Sequence, residues 1–425
     1  MLKDDQAMTL TGLETRLDPA IRNDPFPFYA ALRRTRPVYY DPGLDLYLVT
    51  RYDDAAAVLR DDVNFSLEHG YQDRYGNGHI DEFAAIMERD GGGFIRDLAI
   101  DPPQHTRYRK LTEKAFTAHR VKDLEGRIRQ IVVDLIDNLA DGGRADGMKD
   151  IGGPLTAQII CEQLGFDYGE VGADRIAIWT KAVLDQIGRM QSRDEMLENA
   201  QVMCDLQNFV IAHITDRLAN RREDLISDLV HARLEDDENP VLSWTEQIAT
   251  VRGFLIAGND TTAAAITNLL LVLATQPDLA DELYENVDDN RTMTRFVEEV
   301  LRLQPPVHGL FRTAMADVEL SGTVVPAGAQ VCIMYASANH DTAKFADAEA
   351  LDIERANVGA SLTFGLGIHR CVGIALARME IKVTAQEIIR RLKDIRLAID
   401  PGEIAYLPTL ATQTIESLPL VFQRR

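Results

Sequence analysis

The feature that most constrains the fold is an apolar stretch of about thirty residues that begins near Ser243 and contains no proline. Its first residues, Ser243-Trp244-Thr245-Glu246, fit a capping box, which marks the start of a helix. The continuation, VRGFLIAGNDTTAAAITNLLLVLA, is apolar on almost every face of a helix. The sequence therefore predicts one long central helix that other elements must surround.

This predicted helix is a core helix rather than a membrane span. Its longest apolar run, 263–275, is too short to cross a bilayer, and Asn268 interrupts it. The N-terminus, MLKDDQAMTLTGLETRLD, is polar and mixed in charge and has no signal-peptide core. The formal net charge of -22 argues against nucleic-acid binding, which requires a basic surface. We predict a cytoplasmic protein that binds neither membrane nor nucleic acid.

The remaining sequence predicts a mainly α fold with small β-sheets, of the α+β class, organised as a single domain over residues 1–425. Helical periodicity dominates about 105–303 and 371–392, whereas short strand patterns with turns lie near 36–52 and 317–337. Residues 66–100 are rich in Gly, Asp and Tyr, which predicts a long irregular loop.

The stretch GNDTT at 258–262, with Gly258, Asp260 and Thr261, interrupts the apolar helix. Burying an acid and an alcohol costs free energy unless both find partners, and a glycine in mid-helix costs about 1 kcal/mol relative to alanine. One interpretation is structural: Asp260 is ion-paired, and the Thr261 hydroxyl bonds to the backbone four residues back. The interpretation we favour is a functional pair that moves protons.

The stretch FGLGIHRCVG, residues 364–373, surrounds one of four cysteines with glycine immediately before a predicted helix. The partial positive charge at a helix N-terminus favours the thiolate form of Cys371. One thiolate cannot build a zinc site, which needs three or four protein ligands, but it can be the axial ligand of a haem iron. The alternative is a buried structural cysteine beside a turn, which is how we interpret Cys161, Cys204 and Cys332.

With these residues the sequence resembles the cytochrome P450 family, in particular its bacterial, soluble haem-thiolate monooxygenases. The resemblance extends from about Pro25 to the C-terminus. It implies a fold in which haem b (iron protoporphyrin IX) is buried between the long central helix and the cysteine loop. Five fixed elements of the family's cysteine loop are present: Phe364, Gly365 with Gly367, His369, Cys371 and Gly373.

The resemblance also implies roles in the central helix. Cys371 is expected to ligate the haem iron, and Gly373 to leave clearance for the ring. Gly258 is expected to let the helix approach the haem or widen for oxygen and water. Thr261 is expected to hydrogen-bond the O2 co-substrate or an ordered water, and Asp260 to feed protons from outside.

A structural network and a set of propionate contacts follow from the same resemblance. Glu299 and Arg302 share one face of a predicted helix, a spacing that is also common in surface ion pairs. In the family this pair joins a later arginine in a buried network, and Arg355 fits that position. The expected haem propionate contacts are His105, Arg109, Arg312 and His369.

The expected substrate side comprises the loop 66–100, part of the central helix, the segment after Pro305-Pro306 and a C-terminal turn. Most of these segments are apolar, which indicates a hydrophobic small molecule. For His308 a structural role and a substrate contact stay open. The candidate pocket residues are Val251, Leu255, Ala257, Val307, His308, Leu310, Leu410 and Ala411.

The predicted function is a monooxygenase that inserts one oxygen atom from O2 into such a molecule, with hydroxylation favoured over epoxidation, demethylation or C–C coupling. The sequence carries no flavin or iron–sulfur pattern, so the expected electron donor is a separate protein, a ferredoxin with its reductase. A peroxide-dependent peroxygenase is one alternative, although it would not need Asp260 and Thr261. A non-enzymatic haem sensor or carrier is the other, and it would lack such a pair.

Overall fold

The computed structural model describes residues 8, 10–72, 80–113, 118–139, 142–188, 191–235, 237–407 and 409–425. Its α-helices are α1 (Pro19–Asn23), α2 (Phe26–Thr35), α3 (Tyr52–Arg60), α4 (Leu67–Gln72), α5 (Ile80–Asp90), α6 (Gln104–Glu113), α7 (Ala118–Asp123), α8 (Glu125–Asp137), α9 (Gly153–Leu164), α10 (Tyr168–Val171), α11 (Ala173–Gly188), α12 (Arg193–Ala219), α13 (Leu225–Val230), α14 (Trp244–Thr275), α15 (Pro277–Tyr284), α16 (Asn290–Leu303), α17 (Tyr335–Asn339) and α18 (Ile374–Arg391). A π-helical segment, Gly147–Gly152, leads into α9.

The strands are short and belong to three small sheets. They are β1 (Val38–Asp41), β2 (Leu46–Val49), β3 (Phe65–Ser66), β4 (Arg144–Asp146), β5 (Leu310–Ala314), β6 (Val318–Leu320), β7 (Thr323–Val325), β8 (Gln330–Ile333), β9 (Leu392–Leu397) and β10 (Pro419–Arg424). The predicted class, mainly α with small sheets, is confirmed.

The chain forms two compact units, of which the first comprises Met1–Gln72, Glu298–Cys371 and Leu410–Gln413. Its five-stranded sheet has the order β1-β2-β8-β5-β3, and only the β2–β8 pair is parallel. The strand patterns near 36–52 form an antiparallel hairpin, β1 with β2, in which Val38 lies opposite Val49. Side chains such as Val331, Ile333 and Phe345 form the apolar core of this unit.

The second unit comprises Asp73–Val297, Val372–Thr409 and Thr414–Arg425. Its central element is α14, which contacts α9, α11, α12 and α18 and is buried over most of its length. Ser243 caps α14 with the predicted capping box: the N–H of Glu246 donates to the Ser243 hydroxyl at 3.3 Å, and the N–H of Ser243 donates to the Glu246 carboxylate at 2.7 Å. In the sheet β4-β10-β9, the C-terminal strand β10 pairs antiparallel with both β4 and β9. The single-domain assignment stays a prediction.

Among the described residues, α14 is the one helix long and apolar enough to cross a membrane. However, 78% of its most apolar window is buried within the protein. This burial identifies α14 as a core helix, as the sequence predicted.

The prediction that residues 66–100 are irregular is wrong for much of the segment. Two helices, α4 and α5, occupy 67–72 and 80–90, while 73–79 lie outside the described residues. In α5 the buried side chains Phe83 and Met87 are four residues apart, so they lie on one helical face. The high content of Gly and Asp concealed this short amphipathic pattern.

Candidate active site

Cys371 differs from the other cysteines in its exposure. It is exposed, whereas Cys161, Cys204 and Cys332 are buried. Burial raises the pKa of Cys161 to about 12 and also raises the pKa of Cys204, so both remain neutral thiols. Of the four cysteines, Cys371 is therefore the one placed to offer a thiolate to a ligand.

The backbone of the cysteine loop is closed by hydrogen bonds of its own. The N–H of Cys371 donates to the carbonyl oxygen of Phe364 at 3.0 Å, and a 3-10 turn, Gly367–His369, lies between them. Helix α18 begins at Ile374, so Cys371 precedes its first turn rather than opening it. The loop holds the cysteine at its end without burying the sulfur.

Two glycines of this loop adopt left-handed backbone conformations, with φ of +68° at Gly365 and +75° at Gly367. A Cβ atom at Gly367 would lie 2.3 Å from the carbonyl oxygen of Leu59 in α3, whereas a Cβ at Gly365 would meet nothing within 4 Å. Gly367 is therefore required by both its φ and its close approach to α3, and Gly365 by its φ alone.

Glu299, Arg302 and Arg355 form one fully buried network in the first unit. Arg302 donates to both carboxylate oxygens of Glu299, from Nε at 2.9 Å and from Nη2 at 2.8 Å, and Arg355 Nε donates to Oε1 at 2.9 Å. Burial alone would raise the pKa of Glu299, but the hydrogen bonds from the two guanidinium groups hold it below its usual value. The carboxylate is therefore charged and bridges α16 to the segment around Arg355.

A second set of hydrogen bonds joins this network to the start of the cysteine loop. Arg302 Nη1 donates to the carbonyl oxygen of Asn339 at 2.8 Å. The Asn339 side chain accepts from the N–H of Leu362 at 2.7 Å and donates to the Thr363 hydroxyl at 2.9 Å. Thr363 in turn donates to the carbonyl oxygen of Leu301 at 2.7 Å. Sequence reasoning missed Asn339 and Thr363; the only signal was a polar residue after the apolar run VCIMYASA.

In the second unit, the middle of α14 opens at one face. Ala257 is exposed and Gly258 and Thr261 are half-buried, in a helix that is otherwise buried on nearly all sides. The Thr261 hydroxyl donates to the carbonyl oxygen of Ala257 at 2.9 Å, which is the predicted backbone bond. Its oxygen can still accept a hydrogen bond at this open face.

Gly258 has a packing role that the sequence did not indicate. A Cβ atom there would lie 2.9 Å from Cδ1 of Ile160 in α9. The glycine therefore lets α9 lie close against α14, and its expected role toward haem stays a prediction.

Asp260 is buried, and it forms no ion pair among the described residues. Burial raises the pKa of its carboxyl to about 6, a rise that the nearby Thr414 hydroxyl opposes. The neighbouring Asn259 accepts from Thr156 of α9 at 2.9 Å and donates to Thr180 of α11 at 3.2 Å. The acid therefore lies on a rigidly held turn of α14 and titrates close to physiological pH.

The four expected propionate contacts are divided between the units. In the second unit, His105 is buried on α6, and half-buried Arg109 donates to Glu113 at 2.5 Å. In the first unit, Arg312 is buried on β5 and donates to the carbonyl oxygen of Phe311 at 2.7 Å, while His369 is half-buried in the 3-10 turn. Their role toward haem stays a prediction.

The candidate pocket residues of the first unit fall into two groups. Val307 and Leu310 are half-buried, and a bridge between Val307 and Thr412 brings the C-terminal turn with Leu410 and Ala411 beside them. His308 is buried, and its Nδ1 lies 3.3 Å from the Tyr29 hydroxyl. Because burial holds the pKa of His308 well below its usual value, its imidazole is neutral, and its contact with substrate stays a prediction.

The candidate pocket residues of α14 also differ from one another. Val251 and Leu255 have no exposed surface and lie in the apolar core of the second unit. Ala257 alone of the three lies at the open face of the helix. We therefore place Val251 and Leu255 in the core and keep Ala257 as a wall residue.

Sequence reasoning also missed Arg252, a buried charge in α14. Its Nη2 donates to the carbonyl oxygen of Ile95 at 2.8 Å and to Asp97 at 2.6 Å, and its Nη1 donates to Gln207 of α12 at 2.7 Å. The signal was an arginine inside an apolar helix. Arg252 fastens the segment after α5 to α12 and α14.

The ligand chemistry of the described residues fits a haem iron better than a bare metal ion. No group of three or more His, Cys, Asp or Glu side chains in the described part of the chain could hold a metal. Haem brings four nitrogens of its own and needs one axial ligand from the protein, which the exposed sulfur of Cys371 can supply.

Comparison with known proteins gives consistent results. Residues 185–395 match the family model for cytochrome P450. The chain is 32% identical to the cytochrome P450 monooxygenase PikC of Streptomyces venezuelae, over 94% of this chain and 92% of that protein. It is 31% identical to the 6-deoxyerythronolide B hydroxylase of Saccharopolyspora erythraea, over 92% and 94% respectively. The solved structure of cytochrome P450 CYP109Q5 from Chondromyces apiculatus superposes with a TM-score of 0.83 at 29% identity, covering 98% of this chain and 100% of that one.

Proposed function

The chain belongs to the cytochrome P450 family of haem-thiolate monooxygenases, and from this premise we propose that it hydroxylates a hydrophobic small molecule, with Cys371 as the axial ligand of haem b. The observation that carries the site assignment is the exposed Cys371 at the end of a closed glycine loop. When bound, haem supplies the activation of O2 with two electrons. The work of the chain is to hold substrate and to move protons.

Substrate binding is assigned to the apolar residues with exposed surface. Our candidates for substrate contact are Val307 and Leu310 in the first unit and Ala257 in the second, and none of them is charged. Apolar residues of this kind recognise a ligand by shape and by burial of apolar surface. Two relatives support this class: one is named 6-deoxyerythronolide B hydroxylase, and a 32% identical relative from Mycobacterium tuberculosis is named a methyl-branched lipid omega-hydroxylase.

Proton delivery is assigned to Asp260 and Thr261. A carboxyl with a pKa of about 6 can both bind and release a proton near neutral pH, as a general acid requires. The Thr261 oxygen, half-buried one residue further along α14, can accept a hydrogen bond from water or substrate.

We expect Asp260→Asn to lower O2-dependent turnover by about 10²-fold or more, the usual contribution of a general acid. Turnover supported by hydrogen peroxide, which already carries the protons, should fall far less. The assay would use whichever of dodecanoic acid, testosterone and a macrolactone shifts the haem spectrum. Thr261→Val should raise the fraction of electrons lost to peroxide. Thr275→Val is the matched control, because this exposed threonine of α14 makes the same backbone bond, to Leu271 at 2.8 Å. Equal loss of both activities in Asp260→Asn would contradict the assignment.

The enzyme uses a redox partner, and we propose that this donor is a ferredoxin with its reductase. The residues that we propose to contact an acidic electron donor are Arg370, exposed in the cysteine loop, and Lys382 of α18. Positive charges on an otherwise acidic protein can steer such a partner. We also propose a cytoplasmic location, which the burial of α14 supports.

Reversing the charge at Arg370 or Lys382 to glutamate should lower the rate of haem reduction by ferredoxin at low salt, because electrostatic steering acts mainly on association. The deficit should shrink as salt screens the charges. Stopped-flow reduction measures both effects, and Lys149→Glu, a reversal at an exposed lysine elsewhere in the sequence, is the control. Equal rates for all three variants at every salt concentration would refute the assignment.

A further inference from the structure

Two buried oxygens of the second unit have unmet hydrogen-bonding capacity. Asp260 is 7% exposed, and its Oδ2 has no hydrogen-bond partner among the described residues. Thr414 is 3% exposed, and its Oγ1 likewise has none in the described part of the chain. Leaving a buried polar group unsatisfied costs about 1–3 kcal/mol, and native structures rarely do so. Each oxygen therefore has capacity for a further hydrogen-bond partner.

The two side chains lie close together. The Thr414 hydroxyl is near enough to act on the carboxyl of Asp260 and to lower its pKa, although the two groups do not reach hydrogen-bond geometry. Burial is the first cause of the shift in the pKa of Asp260 and the Thr414 hydroxyl is the second, and no charged side chain of the described residues adds a third. Among the described residues, Thr414 is thus the side chain that acts on this acid.

The backbone holds Thr414 in a fixed position. The N–H of Leu407 donates to the carbonyl oxygen of Thr414 at 2.9 Å, and the next residue, Ile415, forms a bridge with Tyr406. Ile415 itself is fully buried. Because the strand-like pairing fixes the Cα, the hydroxyl can move only by rotation of its side chain.

We propose that Thr414 is a positioning residue for Asp260, and that its hydroxyl and the Asp260 carboxyl share one ordered water. The site is polar and offers that water two partners, as a buried water requires. When Asp260 is charged, the Thr414 hydroxyl donates to the water and the water donates to Oδ2. When Asp260 is protonated, its O–H donates to the water instead. The two states differ by one proton, and neither places a charge on the threonine.

This arrangement adds a residue outside α14 to the proposed proton delivery. Its expected effect on turnover rests on that proposed function, whereas the effect of Thr414 on Asp260 does not. The shared water favours the charged form of Asp260, so it counteracts burial and keeps the acid able to ionise near neutral pH. The segment that carries Thr414 comes from the C-terminal end of the chain. Substitutions there should therefore change proton transfer by Asp260.

Infrared difference spectroscopy of the ferric, substrate-free holoenzyme tests the inference without turnover. The band of the protonated carboxyl is assigned by its absence in Asp260→Asn. Thr414→Val should raise the titration midpoint above about 6 by about one pH unit, a tenfold gain in proton affinity, because the group that favours the charged form is removed. Thr414→Ser should restore the wild-type midpoint, and Thr275→Val should leave it unchanged.

An unchanged midpoint in Thr414→Val, or a Thr414→Ser midpoint as high as that of the valine variant, would overturn the inference. Thr414→Ala provides a second variant if valine prevents haem binding, and a wild-type midpoint in that variant would overturn it as well. If the midpoint rises while the pH profile of O2-dependent turnover stays fixed, the positioning role of Thr414 holds and the proposed proton role of Asp260 fails.

Discussion

Replacing Cys371 by serine should abolish the thiolate-type spectrum of the reduced carbon monoxide complex and, with it, all O2-dependent turnover. The loss of activity should exceed about 10–100-fold, which is typical of changing a residue that hydrogen-bonds to a metal ligand, because here the ligand itself is removed. A serine hydroxyl remains protonated at neutral pH and cannot donate electron density as a thiolate does. Absorption spectra of the haem-loaded protein and turnover assays measure both effects.

The matched control is Cys204→Ala. Cys204 is buried against Met87, with 3.6 Å between the two sulfur atoms, and burial raises the pKa of its thiol. This variant should keep the thiolate spectrum even if it loses some stability. A Cys371→Ser protein that retained the thiolate spectrum would contradict the assignment of the ligand, and circular dichroism would show whether either protein had unfolded.

The sequence predicted those elements whose signals are local. The capping box at Ser243 predicted the start of α14, and the strand patterns near 36–52 predicted β1 and β2. The cysteine loop was predictable for the same reason, because Gly365 and Gly367 have positive φ, a conformation that glycine adopts readily and other residues rarely adopt. Helices α4 and α5 were missed because they are short and follow residues typical of turns.

The features that could not be predicted depend on contacts between distant parts of the chain. Asn339 and Thr414 matter because of partners far away in sequence, and nothing in their own neighbourhood indicates this. Likewise, helical spacing assigns Val251 and Ala257 to different faces, but only the packing of α12 and its neighbours shows which face is core. Local sequence patterns therefore predict the reactive residues of this site better than they predict the residues that contact the substrate.

The three-residue spacing of Glu299 and Arg302 is common in surface ion pairs, but in this network burial makes each partner necessary to the other. Glu299 and Arg302 have no exposed side-chain surface, and Arg355 is 5% exposed, so water cannot replace a lost partner. The network also reaches the cysteine loop through Asn339 and Thr363. Because the pKa of Glu299 is lowered on folding, its stabilising effect is complete above the usual pKa of glutamate and is lost on acidification.

Glu299→Gln should therefore destabilise the protein by about 3–5 kcal/mol, the usual cost of breaking a buried ion pair, because two guanidinium groups are left without their charge partner. The same substitution at Glu82, whose pair with Arg193 is 40–50% exposed, should cost less than about 1 kcal/mol. Urea unfolding measures both, and haem retention should fall in Glu299→Gln alone, since the network positions the loop of Cys371. If the two variants unfolded at the same urea concentration, the network would not stabilise the fold; if Glu299→Gln lost stability but kept its haem, it would not position the loop.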